Sequence, residues 1–520
     1  MIYLNSKIIH LFDCSKRRIF KSNSLKFATL SVLVMSMFAF GPCSSTTNAP
    51  EQKPQKYSYS IGTPAAGNQT AKTKLLETIN SATKELVMAF SDFNDADVLN
   101  AILAKESAGL KIAIAGDQRA ENSTSFAALK AMRTSSNKFN TTKTAFANAV
   151  AASTTQAENE ALRTRLNFNR QNFSAQYNAS RNDGRVEYNI VVADNYKCWI
   201  STSPPVATTW SNDYSIVFFF DSYDVCRDFY NELNQPAWGG LFGDEGIPSF
   251  GRFRWSKSIV DPNTSFRIDD VYIHIWYSPQ EWPIVGIITE LMRADDSIEF
   301  AARALTQERI NDVNDHSKNR STILNVLQQK SRYPTIFGKS FSIKGVFGTE
   351  LDPNPTCVAY DTATPPNCTT TITYNSLVAG TCPTINNVSI ALPYDSTTNS
   401  TINQTSIHCD LLSLKNTVNN SSTLAVSKYS GRIPFNVFLL DKGGRRPRLI
   451  ISPSDLRYRY FYDSGGSQNA EPQRTQDDFF PITDSFVMMI EPINFEARAK
   501  IFNDFSKLVD ILYQAGAQTW

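Results

Sequence analysis

The sequence predicts an α/β protein made of two repeated halves, each a mixed, mostly parallel sheet flanked by helices. Helical and strand-like segments alternate along the chain, four of them recur in the same order, and two similar motif strands occupy corresponding places. A chain of 520 residues can also bury more than one hydrophobic core. We expect the first half at residues 69–240, a connector at 241–269 and the second half at 270–520.

Each half opens with a helical pattern that leads into a short apolar strand. Ile79 and Ala82 precede the apolar run 86–90, and Ala294 precedes the similar run 298–302. A second helix and strand then follow in each copy, with the strands expected at residues 110–115 and 341–347. This order of helices and strands with short loops is typical of an α/β unit.

Each half also closes in the same way. An apolar strand at residues 216–220 precedes a helix that carries residues 229–233. In the second copy, a strand at residues 486–490 precedes a helix that carries residues 501–505. Four shared segments in one order indicate an internal duplication.

Between these shared segments, each half carries a strand with an asparagine five residues before an aspartate. The first strand runs from Glu187 through Asn189 to Asp194. The second runs from Pro434 through Asn436 to Asp441, and the motifs occupy corresponding places in the two copies.

With these motifs, residues 70–240 and 275–515 resemble the phospholipase D superfamily. In that family each half supplies a His-x-Lys-x4-Asp motif, and the two motifs meet in one cleft. The resemblance implies that one histidine attacks the phosphorus, the other protonates the leaving oxygen, and the lysines hold the phosphate oxygens. The sequence contains no metal-ligand cluster and no glycine-rich phosphate loop, so no metal and no other cofactor is expected.

The present chain keeps only part of that motif. The histidine positions hold Glu187 and Pro434, the lysine positions hold Asn189 and Asn436, and the aspartates are Asp194 and Asp441. Proline has no nucleophile and no transferable proton, and asparagine carries no charge to clamp a phosphate. The resemblance therefore implies the fold together with a degenerate site. No residue of this chain is assigned a catalytic role in the family's mechanism.

Two further groups of residues are candidates for ligand binding. Arg445, Arg446 and Arg448 follow the second motif, and guanidinium groups suit phosphate or a polyanion. The alternative is a solvated hairpin whose arginines form salt bridges. Asp194 and Asp441 suggest either a metal site or buried acceptors for backbone and hydroxyl donors.

The second half is longer than the first between the shared segments, and we expect the additional residues at 351–426. This stretch is rich in threonine, asparagine, serine and cysteine, so it predicts a surface insert. Apart from Cys14 and Cys43, six of the eight cysteines remain, and this even number favours disulfides over zinc. Proximity in sequence suggests a Cys198–Cys226 pair. The four others are expected to pair among themselves: Cys357, Cys368, Cys382 and Cys409.

The amino terminus is typical of an export signal, because basic residues precede a short apolar stretch. Cys43 follows that stretch and resembles the lipid-accepting cysteine of bacterial lipoproteins. We therefore expect a signal at residues 1–43 and a flexible tether at 44–68. An uncleaved signal anchor and a plain secretion signal remain the alternatives.

Three functions remain open at this point. The chain is expected to be a membrane-anchored, monomeric envelope protein that binds a phosphate-bearing or polyanionic ligand or a protein partner without catalysis. The alternatives are a phosphodiesterase or phospholipase that uses other residues of the same cleft, and an interaction protein that acts through the insert. A net charge of +2 gives no general attraction to nucleic acid or membranes.

Overall fold

The computed structural model describes fifteen stretches of the chain. They are residues 55–117, 120, 123–129, 164–168, 185–187, 189–237, 265–278, 283–303, 323–331, 335–336, 339–348, 356–360, 368–372, 424–453 and 483–517. The expected signal, Cys43, Cys382 and Cys409 lie outside the described residues.

Within the described stretches, the first half contributes eight strands and four helices, besides a helical turn at residues 124–129. The strands are β1 (Lys56–Gly62), β2 (Glu85–Phe90), β3 (Lys111–Gly116), β4 (Thr164–Phe168), β5 (Arg185–Val186), β6 (Asn189–Ala193), β7 (Lys197–Ser201) and β8 (Ser215–Asp221). The helices are α1 (Gln69–Ser81), α2 (Ala96–Ser107), α3 (Ala207–Ser211) and α4 (Tyr223–Ala237).

The second half contributes the remaining elements of the described residues. The strands are β9 (Ser265–Ile268), β10 (Val271–Ser278), β11 (Ser297–Ala302), β12 (Thr335–Ile336), β13 (Lys339–Ser340), β14 (Ser342–Gly348), β15 (Thr356–Tyr360), β16 (Cys368–Ile372), β17 (Leu424–Tyr429), β18 (Asn436–Leu440), β19 (Arg448–Ser452) and β20 (Thr483–Pro492). The helices are α5 (Pro283–Arg293), α6 (Ile323–Ser331) and α7 (Phe495–Ala515).

The two main sheets repeat the same strand order, which confirms the duplicated α/β architecture. The first sheet runs β1-β8-β7-β6-β2-β3-β4, and the matching path in the second runs β10-β20-β19-β18-β11-β14-β17. Each junction along one path has the same direction, parallel or antiparallel, as its counterpart in the other. The motif strands β6 and β18 occupy the same place, beside the opening strands β2 and β11.

The sheets contain fewer parallel strand pairs than expected, so the expectation of mostly parallel sheets is wrong. Parallel pairing within each repeat is confined to β2-β3-β4 and to β11-β14-β17. A crossover through a helix joins β2 to β3 and permits parallel strands, whereas a tight turn joins β6 to β7 and enforces an antiparallel pair. The sheets are therefore mixed, with antiparallel pairs in the majority.

The core has three parts, arranged in layers. Helices α1 and α2 cover the outer face of the first sheet, and α5 and α6 cover the outer face of the second. A central cluster joins the inner faces of both sheets with α4 and α7. Phe229 of α4 contacts Phe486 of the second half, and Tyr59 of β1 contacts Phe505 of α7. The two halves therefore share one hydrophobic interior.

Two expected boundaries differ from the structure. The expected tether at 44–68 contains β1, which pairs with β8 along its length. Tyr57, Tyr59 and Ile61 alternate with polar residues and pack against the central core, so period-two patterning outweighs the polar composition here. The expected insert at 351–426 includes part of β17, an edge strand of the second sheet, and residues 303–341 also lengthen the second half.

Cys198 of β7 and Cys226 of α4 form a disulfide, as the sequence suggested. Both cysteines are fully buried in the central core, where they fasten the helix to the sheet. Cys357 and Cys368 lie on the paired strands β15 and β16, whose side chains lie outside the described part of the chain. Among the described residues, no helix is long and apolar enough to cross a membrane.

Candidate functional site

The aspartates that end the two motifs hold equivalent turns. Oδ1 of Asp194 accepts hydrogen bonds from the backbone N–H groups of Lys84 and Glu85, and Oδ2 accepts from Thr83. Oδ1 of Asp441 accepts from the backbone N–H groups of Asp295 and Asp296. Asp194 and Asp441 have φ angles of 52° and 55°, the left-handed conformation that aspartate tolerates better than most residues.

These contacts favour the structural interpretation of both aspartates over the metal-site alternative. Burial raises the pKa of Asp194, but the hydrogen bonds from Glu85, Thr83 and Lys84 outweigh it and hold the pKa below its ordinary value. Asp441 is buried and also accepts a hydrogen bond from Nη2 of Arg448 at 3.0 Å. Within the described stretches, no group of three or more histidine, cysteine, aspartate or glutamate residues is placed to hold a metal ion.

The two motif asparagines are also tied into the scaffold. Oδ1 of Asn189 accepts hydrogen bonds from the backbone N–H and the hydroxyl group of Ser91, which follows β2. Oδ1 of Asn436 accepts from the backbone N–H of Arg303, which follows β11, at 2.9 Å. Both asparagines are at most 2% exposed. Each therefore anchors the first residue after the neighbouring strand of its own half, β2 or β11.

Glu187 lies at the point where the two halves meet. The preceding residue, Val186, pairs with Asp484 of β20 in the second half. The backbone N–H of Val186 donates a hydrogen bond to Oδ2 of Asp117, a fully buried carboxylate at the end of β3. The segment before Glu187 is thus fixed to both halves at once.

The Glu187 side chain forms an ion pair across that junction. Its Oε1 lies 3.3 Å from Nη1 of Arg303, and the two side chains are 10% and 15% exposed. Because Asn436 accepts a hydrogen bond from the backbone of the same arginine, the first motif and the second motif meet through Arg303. Arg303 thus contacts Glu187 through its guanidinium and Asn436 through its backbone.

Pro434 is buried immediately before the second motif strand. Ser452 of β19 lies directly opposite Asn436, and both residues are at most 1% exposed. The junction thus offers a paired carboxylate, a paired guanidinium, two engaged amides and a proline. Within this set the two asparagines and the proline carry no charge, and the Glu187 carboxylate is engaged with Arg303.

The arginines that follow the second motif do not join this junction. Arg448 is 1% exposed and forms ion pairs with Asp441 and Glu290, so its expected role in ligand binding is wrong. Arg445 and Arg446 are exposed in the turn between β18 and β19. Five residues of strand, about 17 Å, separate that turn from Asn436.

Arg303, which contacts residues of both motifs, is not among the site residues expected from the sequence. The duplication offered a signal, because Arg303 follows β11 as Ser91 follows β2. The second copy has the charged residue Arg303 at the position where the first copy has the small polar residue Ser91. This position therefore differs between the halves. Its partner Glu187 could not be identified from spacing, because the two residues come from different halves.

The comparisons with known proteins give weak likenesses. No family model matches the chain, and no curated protein matches it. The structure is similar to the phospholipase D family member Nuc from Salmonella typhimurium, with 16% identity over 35% of this chain and 95% of that chain and a TM-score of 0.24. It is also similar to phosphatidylserine synthase from Haemophilus influenzae, with 10% identity over 87% and 86% of the two chains and a TM-score of 0.47. NucT from Helicobacter pylori shows 13% identity over 35% and 98%, with a TM-score of 0.24. Likenesses at this level identify neither an activity nor a ligand for the chain.

Proposed function

We propose that this chain is a non-catalytic binding protein on a duplicated, phospholipase D-like scaffold. The observation that carries the proposal is the ion pair between Glu187 and Arg303 at the junction of the two motifs. Among the residues at the histidine and lysine positions, Glu187 is the one with a group able to attack or to protonate, and that group is engaged with Arg303. A carboxylate at this place also repels an anionic phosphodiester.

The remaining motif positions support the same conclusion. Asn189 and Asn436 use their amide oxygens to anchor Ser91 and the backbone of Arg303, so they act as parts of the scaffold. Pro434 supplies neither charge nor proton. Removing several members of one catalytic unit lowers rates by many orders of magnitude. We therefore infer that binding is the retained activity, carried by surfaces other than the motif junction.

The proposed location is the cell envelope, with a lipid on Cys43. The buried Cys198–Cys226 disulfide supports export, because such bonds persist in oxidising compartments. Mass spectrometry of the mature protein tests this part directly. A cleaved chain that begins with acylated Cys43 agrees with the proposal, whereas an intact, unmodified amino terminus contradicts it.

Hydrolysis of bis(4-nitrophenyl) phosphate tests the lack of catalysis. Wild type and Glu187→Gln are expected to release nitrophenol no faster than buffer. Glu77→Gln is the matched control, since it removes a carboxylate that is paired with Lys74 on the surface. Turnover by wild type and by Glu77→Gln that disappears in Glu187→Gln would overturn the proposal and favour an enzyme with a non-standard residue.

A further inference from the structure

One end of the molecule, opposite the motif junction, exposes several large apolar side chains. Strand β18 begins at Asn436 beside the junction and runs away from it, and β20 runs in the same direction because both strands pair antiparallel with β19. Helix α7 starts at Phe495, shortly after the end of β20, and Phe495 is 79% exposed. Ile493, which follows β20, and Tyr272, which lies opposite Glu491 near the end of β20, are exposed as well. The second half thus presents three apolar side chains at this end.

The matching end of the first half lies beside them. Strand β8 ends against the start of β1, and α4 then begins with Tyr223, which is exposed. Burial and the neighbouring Asp270 carboxylate of the second half raise the pKa of Tyr57, the second residue of β1. The backbone carbonyl of Asp270 accepts a hydrogen bond from the N–H of Ile493. Through Asp270, the start of β1 adjoins the end of β20, and the apolar side chains of both halves share one surface.

Met292 completes this surface, which we call the apolar end. It lies in the last turn of α5, shortly before β11, and β11 begins at this end because it is antiparallel to β18. Among the described residues, seven large apolar side chains are exposed, and five of them lie at the apolar end. These are Tyr223, Tyr272, Met292, Ile493 and Phe495. Their concentration in one place indicates an interaction surface, whereas singly scattered apolar residues are ordinary on any protein.

Two exposed arginines border the apolar end. Arg445 and Arg446 lie in the turn between β18 and β19, which is at the same end because β18 terminates there. Nη2 of Arg498, near the start of α7, donates a hydrogen bond to the backbone carbonyl of Lys442 in that turn. The two arginines therefore lie close to the start of α7. Exposed carboxylates at this end offset part of their charge: Asp224, Asp269 and Glu496.

Apolar and aromatic side chains bordered by arginine suit a lipid interface. The apolar groups enter the boundary between headgroups and acyl chains, and guanidinium groups pair with lipid phosphates. The chain also enters the fold at this end, because β1 begins at Lys56. Cys43, the expected site of the lipid, precedes Lys56 by thirteen residues, so even a fully extended link spans about 45 Å at most. A lipid on Cys43 is therefore tethered to the end that carries the apolar side chains.

We infer that the apolar end rests on the membrane that holds the lipid of Cys43. Its five apolar side chains enter the headgroup region, Arg445 and Arg446 contact lipid phosphates, and the motif junction faces away from the bilayer. The inference rests on the proposed location, because its partner is the membrane next to the amino terminus of the chain.

Quenching of tryptophan fluorescence by brominated acyl chains tests which end meets the lipid. Full-length Phe495→Trp is bound to vesicles of phosphatidylcholine and phosphatidylglycerol, with or without bromine on the acyl chains, and the bound protein is recovered by flotation. Ile511→Trp is the matched control, because Ile511 is exposed on the same helix about 24 Å further along its axis. Helix α7 runs away from the apolar end, since Ala517 beyond it pairs with Lys428 near the end of β17. The wild-type chain, with seven tryptophans, gives the background, and circular dichroism establishes that each variant is folded.

Brominated vesicles are expected to lower the emission of Phe495→Trp, after subtraction of wild type, and to leave that of Ile511→Trp unchanged. Adding Arg445→Ala and Arg446→Ala to Phe495→Trp should reduce this loss of emission on vesicles that contain phosphatidylglycerol. Absence of vesicle binding, equal quenching of Phe495→Trp and Ile511→Trp, or quenching of neither would overturn the inference. Failure of the proposed location shows separately, as an unmodified amino terminus in mass spectrometry, and failure of the proposed lack of catalysis shows as phosphodiester turnover.

Discussion

Glu187 of the first half and Arg303 of the second form an ion pair between the two copies of the duplication. Their charged atoms are 3.3 Å apart, and both side chains are mostly buried. Arg303 stands in the second copy where Ser91 stands in the first, and each donates a backbone hydrogen bond to the motif asparagine of its own half. The motif residues Glu187, Asn189 and Asn436 thus make structural contacts, and Glu187 connects the halves.

The aspartates at the two motif ends should differ in their contribution to stability. Asp441→Asn leaves the buried Arg448 with one carboxylate partner fewer. We therefore expect the free energy of unfolding to fall by about 3–5 kcal/mol. Asp194→Asn weakens hydrogen bonds to backbone groups and Thr83, with an expected loss of about 1–3 kcal/mol. Urea unfolding followed by circular dichroism measures both values.

The control for these variants is Asp97→Asn, which changes a 64% exposed carboxylate paired with Lys72. It should alter stability by less than about 1 kcal/mol. Equal losses for Asp441→Asn and Asp97→Asn would contradict the structural role of the Asp441–Arg448 contact.

Asp95 should contribute to acid sensitivity. Burial raises its pKa, but Lys72, the N–H of Val98 and the indole of Trp210 outweigh burial and lower the pKa below its ordinary value. Because the folded state has the lower pKa, the stabilisation is complete above the unfolded pKa of about 3.9 and is lost as pH falls through the folded value.

Asp95→Asn keeps a residue suited to the start of α2 and removes the titrating group. Its unfolding midpoint should therefore fall less steeply than that of wild type between about pH 5 and pH 2. Parallel curves for the two proteins would show that Asp95 does not titrate in the manner described.

The Cys198–Cys226 bond closes a loop with a sequence separation of 28 residues. The loop-entropy model assigns such a bond a stabilisation of about 3–4 kcal/mol. The variant Cys198→Ala/Cys226→Ala should therefore unfold at lower urea concentration than oxidised wild type. Adding a thiol reductant during unfolding should lower the wild-type midpoint more than that of the variant. A reductant effect of equal size on both proteins would locate the sensitive bond elsewhere.

Arg445 and Arg446 should carry any binding of polyanions by the turn between β18 and β19. Arg445→Ala/Arg446→Ala is expected to elute from heparin at lower salt than wild type, because exposed cations contribute most of such binding. Lys111→Ala/Lys507→Ala, which also removes two exposed cations, is the matched control. Deletion of residues 355–423, which leaves β17 intact, tests the insert in the same assay. Retention that depends on the insert alone would favour the interaction-protein alternative.

Sequence patterns were sufficient to predict the duplication, the order of the elements and the disulfide. They misplaced the start of the first half, because alternation in β1 was hidden in a polar segment. They also placed Arg448 in a ligand site, whereas the register of β18 and β19 carries it into the interior beside Asp441. Long-range partners such as Arg303 and Glu187 depend on how the halves pack, and spacing along the chain does not reveal that.

The coupling energy between Glu187 and Arg303 tests the central claim most directly. A double-mutant cycle with Glu187→Gln and Arg303→Gln, unfolded in urea in phosphate-free buffer, isolates the pairwise term. We expect a coupling of about 1–3 kcal/mol, against less than about 0.5 kcal/mol for the exposed Lys74–Glu77 pair. A Glu187–Arg303 coupling no larger than that of the Lys74–Glu77 pair would contradict the claim that Glu187 joins the two halves.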